Sequence, residues 1–186
     1  MATDTERILF TVDKYEKMIE TGILGEDDHV ELIRGEILKK EPIGLRHAAC
    51  VARLVAIFAT RLGTSVIVWP QNPIRIEGHS MPEPDVALLK PSANFYSQAR
   101  PTPSDVLLLV EVADSSVARD KSAKAPLYAE AGVPELWIVN LIENVIEVYS
   151  QPTNGTYQKV LSARSNDSLT IQIGHTEAIS VLEVLG

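Results

Sequence analysis

The segment Val106-Leu-Leu-Leu-Val-Glu-Val-Ala113 constrains the fold more than any other part of the chain. From Val106 to Val110 every residue is apolar, with no polar alternation. A strand that turns apolar side chains both ways belongs in the middle of a sheet covered on both faces. Glu111 interrupts the run. An ionised carboxylate in such surroundings is costly unless it is paired or binds a cation. Glu111 therefore marks either a strand end that emerges into solvent or a functional site.

Around this strand the pattern predicts a mixed order of helices and strands. Thr11 is placed to cap a helix over residues 12–19, with Tyr15, Met18 and Ile19 at helical spacing and Gly22 beyond its end. Residues 29–38 read as a hairpin turning at Arg34-Gly35. Val51, Leu54, Val55, Phe58 and Leu62 give a helix over 47–62 one apolar face. Further strands are expected at 65–69, 74–77, 85–89, 135–140, 145–149 and 157–161. A helix is expected over 116–131, stopped by Gly132 and kinked or split at Pro126, which cannot donate a backbone hydrogen bond. A strand–helix–strand passage from 106 to 140 implies a right-handed crossover. The fold class is α/β or α+β: a mixed β-sheet flanked by α-helices.

The chain's 186 residues suffice for one compact domain. Cys50 is the single cysteine, so no intrachain disulfide can form and a reducing cytoplasm is expected. The polar, acidic residues 1–7 do not resemble a signal peptide, and the apolar run 106–110 is too short to span a bilayer, so no membrane is expected. With 17 basic and 25 acidic side chains the net charge is −8, which requires any nucleic-acid-binding surface to be segregated on one face. There is no Walker loop, GxGxxG, GxSxG or HxxxH spacing, which argues against nucleotide-dependent, serine-hydrolase and zinc-hydrolase classes.

Asp85 opens a strand directly after Pro82-Glu83-Pro84. If its strand neighbours that of Glu111, at the usual ~4.8 Å spacing, the two carboxylates converge at one sheet edge. Two oxygen ligands completed by water and a phosphate oxygen suit Mg²⁺. Asp120, Lys124 and Tyr128 follow at spacings of four, on one helix face. The Lys124 ammonium could orient water or offset phosphate charge. An exposed Asp120–Lys124 pair is the plainer alternative. Glu31, between apolar neighbours, is a further ligand candidate, although alternation favours a solvent-facing side chain. His47, at the start of a helix, could bind phosphate or carry protons; capping and surface exposure are the alternatives.

In order along the chain stand Glu31-Leu-Ile-Arg-Gly35-Glu-Ile, His47, and Glu83-Pro-Asp85-Val. They are followed by Leu109-Val-Glu111-Val-Ala-Asp-Ser115-Ser, Asp120-Lys-Ser-Ala-Lys124-Ala-Pro-Leu-Tyr128 and Ala131-Gly-Val-Pro-Glu135-Leu-Trp137-Ile-Val-Asn140. The series resembles the Uma-type family of restriction endonucleases, a branch of the PD-(D/E)XK nuclease superfamily, from about residue 12 to 181. The resemblance implies a restriction-endonuclease-like core, Mg²⁺ with Mn²⁺ as a substitute, and hydrolysis of phosphodiester bonds in DNA. By position Asp85 and Glu111 are the metal ligands, and Lys124 replaces the superfamily's lysine, whose usual place is Ala113. Glu31 joins them as a catalytic candidate. The family favours Tyr at Leu136 and Asp at Asn140. A homodimer is expected, since cutting both strands suits two sites about a two-fold axis. The residues leave open a nuclease acting on RNA or a nucleotide, and a non-catalytic binding or assembly domain that keeps the fold.

Overall fold

The computed structural model describes residues 7–186 apart from 77, 115 and 174. A first helix, α1 (Val12–Glu20), begins where Thr11 accepts a hydrogen bond from the Lys14 amide. The hairpin β1 (Val30–Ile33) and β2 (Glu36–Lys39) follows, turning at Arg34 and Gly35, both at positive φ. Helix α2 (Leu45–Leu62) leads into β3 (Ile67–Pro70), β4 (Val86–Leu89) and β5 (Val106–Ala113). After β5 come α3 (Val117–Arg119), a π-helical turn (Asp120–Lys124) and α4 (Ala125–Glu130). The chain closes with β6 (Glu135–Asn140), β7 (Val145–Thr153), β8 (Thr156–Arg164), the hairpin β9 (Ser168–Ile173) and β10 (His175–Ser180), and α5 (Val181–Leu185).

The main sheet has six strands in sequence order β3 to β8, and only β5 and β6 run parallel. Strand β5 is interior, as its unbroken apolar run requires. Leu108, Val110 and Val112 enter a core under α2, α5 and the β9–β10 hairpin, with Phe58 and Trp137 among its largest members. Leu109 and Ala113 face the opposite core, where Ala125, Tyr128 and Leu136 pack. Glu111 stands between Leu109 and Ala113 and so points to the side of α3 and α4. Val12, Tyr15, Leu32 and Met81 form a third, smaller core that fixes the β1–β2 hairpin beside the sheet.

One expectation needs correction. Residues 74–76 are not a strand, because their amides bond to partners in three different places: Ile74 to Pro82, Arg75 to Pro101 and Ile76 to Ser80; residue 77 lies outside the described residues. The helix is split at Pro126, as expected, by way of the π turn. The Ala125 amide reaches back five residues to the Asp120 carbonyl, which widens the helix just ahead of the proline ring. The β9–β10 hairpin and α5 were not foreseen. Helix α2 belongs to the one stretch, Leu45–Ser65, long and apolar enough to cross a bilayer among the described residues; here its apolar face lies on the sheet.

Candidate active site

Asp85, Glu111, Glu31 and Lys124 line one cavity of about 140 Å³, together with His47, Glu83, Arg119 and Asp120. Each comes from a different part of the fold. Asp85 ends the loop before β4, and its Oδ2 accepts a 2.7 Å hydrogen bond from the Val112 amide, across the strand pair. Glu111 projects from β5. Glu31 projects from β1, and its Oε2 accepts from the Glu83 amide at 3.2 Å. Lys124 closes the π turn.

Lys124 is the hub. Its Nζ donates to Glu111 Oε1 and Oε2 at 3.1 and 3.2 Å and lies 3.1 Å from Glu31 Oε2. It is only 4% exposed, and Glu31 and Glu111 are 1% and 3% exposed. The solvent-facing alternatives for Glu31 and Lys124 are therefore overturned. Alternation in β1 reports that the strand has two faces. It does not report that the second face looks onto a charged cleft instead of water.

Further residues complete the network. Tyr128 donates from its phenol to Glu111 Oε1 at 2.7 Å. Ser116 donates to Asp120 Oδ2 at 2.7 Å. His47 Nε2 lies 3.1 Å from Asp85 Oδ1, while its Nδ1 is buried without a partner. Lys40 pairs with Glu83 at the rim. Arg119 donates from Nη1 to the Lys39 carbonyl at 3.0 Å, and its Nη2 stands 4.0 Å from Glu31 Oε1. Tyr128 was visible in sequence as the third member of the 120-124-128 face; Arg119 carried no signal.

The cavity holds more negative than positive charge. Glu31, Asp85, Glu111 and Asp120 surround one ammonium. Burial opposes the Lys124 charge, yet Glu111, Glu31, Asp120 and Asp85 outweigh it and hold its pKa above the usual lysine range. Burial pushes the Glu111 carboxyl up; Lys124 draws it down, and Asp120, Asp85 and Glu31 raise it further. Lys124 thus stays charged, and the surplus falls on Glu111. Burial also raises Asp120 and keeps the Tyr128 phenol protonated. The hydrogen bond to Asp85 raises His47.

A carboxylate offers about four lone-pair positions. Glu31 Oε2 is occupied by Lys124 and the Glu83 amide, whereas Glu31 Oε1 is buried without any hydrogen-bond partner. Each Asp85 oxygen has a single protein partner, as has Glu111 Oε2. Among these carboxylates the free capacity is anionic oxygen, a donor set that fits a hard divalent cation. Among the described residues no three His, Cys, Asp or Glu side chains form a group that could hold a metal ion.

The fold is of a nuclease-like class. A crystal structure described as a "putative nuclease belonging to DUF820 from Anabaena variabilis ATCC 29413" superposes at TM-score 0.71, covering 95% of this chain and 97% of that one at 13% identity. Among curated proteins none matches the chain. The model of the Uma2 family, described as "Putative restriction endonuclease", matches residues 12–181, and the chain belongs to that family.

Proposed function

We propose that the protein is a Mg²⁺-dependent endonuclease that hydrolyses phosphodiester bonds in DNA. The observation that carries this reading is the convergence of Asp85, Glu111 and Glu31 on Lys124 in one cleft with surplus negative charge. Family membership supports the reaction class.

Asp85 and Glu111 would hold the metal, with Glu31 Oε1 as the additional oxygen of greatest free capacity. A divalent cation held there would supply Lewis-acid chemistry to a phosphodiester and its attacking water. The chain's own residues set the stage. The Val112 amide and His47 fix the Asp85 carboxylate, and Tyr128 and Lys124 fix that of Glu111. Lys124 takes over the charge role that Ala113, fully buried in the apolar core, cannot fill. A two-fold dimer would present two such clefts to a duplex.

The test is cleavage of plasmid and oligonucleotide DNA with Mg²⁺ or Mn²⁺ by the native protein and by Asp85→Ala. Loss of cleavage in the variant is expected. Equal cleavage by both proteins, or none by the native protein, overturns the proposal.

A further inference from the structure

The geometry points to Arg119, not Lys124, as the cation that grips the substrate phosphate, an inference that rests on the nuclease reading above. An ammonium has three N–H donors. Nζ of Lys124 donates to both oxygens of Glu111 at 3.1 and 3.2 Å and forms an ion pair with Oε2 of Glu31 at 3.1 Å. With the side chain 5% exposed and bracketed by two carboxylates, Lys124 is committed to them. It positions Glu111 and Glu31 and serves as their counter-charge.

Arg119 is in the reverse condition. A guanidinium has five N–H donors in a rigid fork. Among the described residues Arg119 makes one hydrogen bond, from Nη1 to the Lys39 carbonyl. Its Nε is buried with no partner, and its Nη2 approaches Glu31 Oε1 only to 4.0 Å, too far for a hydrogen bond. A buried, unsatisfied donor is uncommon in a folded protein and calls for an explanation. The side chain lines the same cavity as Asp85 and Glu111 and keeps 30% exposure. A tetrahedral phosphate in the cleft would meet the free donors in the two-toothed manner that guanidinium groups favour. The local fold supplies the reason for this arrangement. Arg119 is the last residue before the π turn, and Lys124 is the last residue within it. The widened turn sends one cation inward to the carboxylates and leaves the other at the mouth.

The experiment is cleavage of a duplex oligonucleotide with Mg²⁺ over a series of salt concentrations, using the native protein, R119Q and R119K. With R119Q, KM rises at least about tenfold, as for a lost charge-assisted bond. The salt dependence of binding loses about one counterion. R119K keeps the salt slope but raises KM, because a point charge replaces the fork. Melting temperatures establish that the variants are folded. If R119Q lowers kcat while KM and salt slope stay native, Arg119 acts only through Glu31 and the inference is overturned. An R119Q protein that cleaves like the native one overturns it as well, and so does an R119K protein with native KM should R119Q not fold. A native protein that neither binds nor cuts the duplex overturns the nuclease reading itself, and this inference with it.

Discussion

Replacing Lys124 with methionine tests the charge architecture of the cleft without any assumption about the reaction. The methionine keeps the length and apolar stem and removes the ammonium. Glu111 and Glu31, each about 3.1 Å from Nζ, would then face one another across a site almost closed to water. Removing one member of a buried ion pair costs about 3–5 kcal/mol. For a chain of this size 1 kcal/mol lowers Tm by about 2–4 °C, so a fall of roughly 6–20 °C is expected at neutral pH. Protonation offers an escape. Burial already holds the Glu111 carboxyl above its ordinary pKa. A carboxyl raised in the folded state gives stability that is full below its unfolded pKa and is lost as pH rises through the folded one. The variant should therefore lose much less at pH 5 than at pH 8. The double variant Lys124→Met/Glu111→Gln should recover part of the loss. The assay is thermal and urea unfolding in the presence of a chelator. A Lys124→Met protein within 2 °C of the native Tm at pH 8, or a loss independent of pH, would refute the reasoning.

Other outcomes follow from single contacts. Tyr128→Phe removes the 2.7 Å bond to buried Glu111 and should cost about 1.5–3 kcal/mol in urea unfolding. Glu31→Gln should weaken Mn²⁺ binding by at least about tenfold in calorimetry while the protein stays folded, since it neutralises the oxygen with most free capacity. Gly35→Ala should lose about 1–3 kcal/mol, because Gly35 has φ +84° and a Cβ there would stand 2.6 Å from Leu9 Cβ. Thr11→Ala should cost about 1 kcal/mol through loss of the α1 cap, read as a small shift in Tm.

What the sequence made legible was the part written in local patterns. The unalternating run of β5 located the sheet centre, and Glu111 within it located the cleft. The Thr11 cap, the Arg34-Gly35 turn and the apolar stripe of α2 each declare themselves within a few residues, and each formed as expected. Helix α2 started two residues early, at Leu45. The less legible parts depend on contacts between distant segments. Glu31 looked like an outward residue because its partners, the Glu83 amide and Lys124, lie 52 and 93 positions away. Residues 74–76 have the composition of a strand but no continuous neighbour to pair with. Leu169 and Ile171 show a period of two, yet the partner strand β10 does not look like one from its residues. Asn140 Oδ1 accepts from the Ile142 and Glu143 amides, a turn-forming role that an Asp could also fill.

The π turn carries a further consequence. The Ala125 amide bonds to the carbonyl five residues back, so five residues here do the work of four, and the turn absorbs one extra residue while the helix on either side keeps its register. Deleting Ser122 should therefore leave an ordinary α-helix with Arg119 and Tyr128 still on their own sides. It should lower Tm less than a single-residue deletion inside α2, where no widened turn can take up the loss.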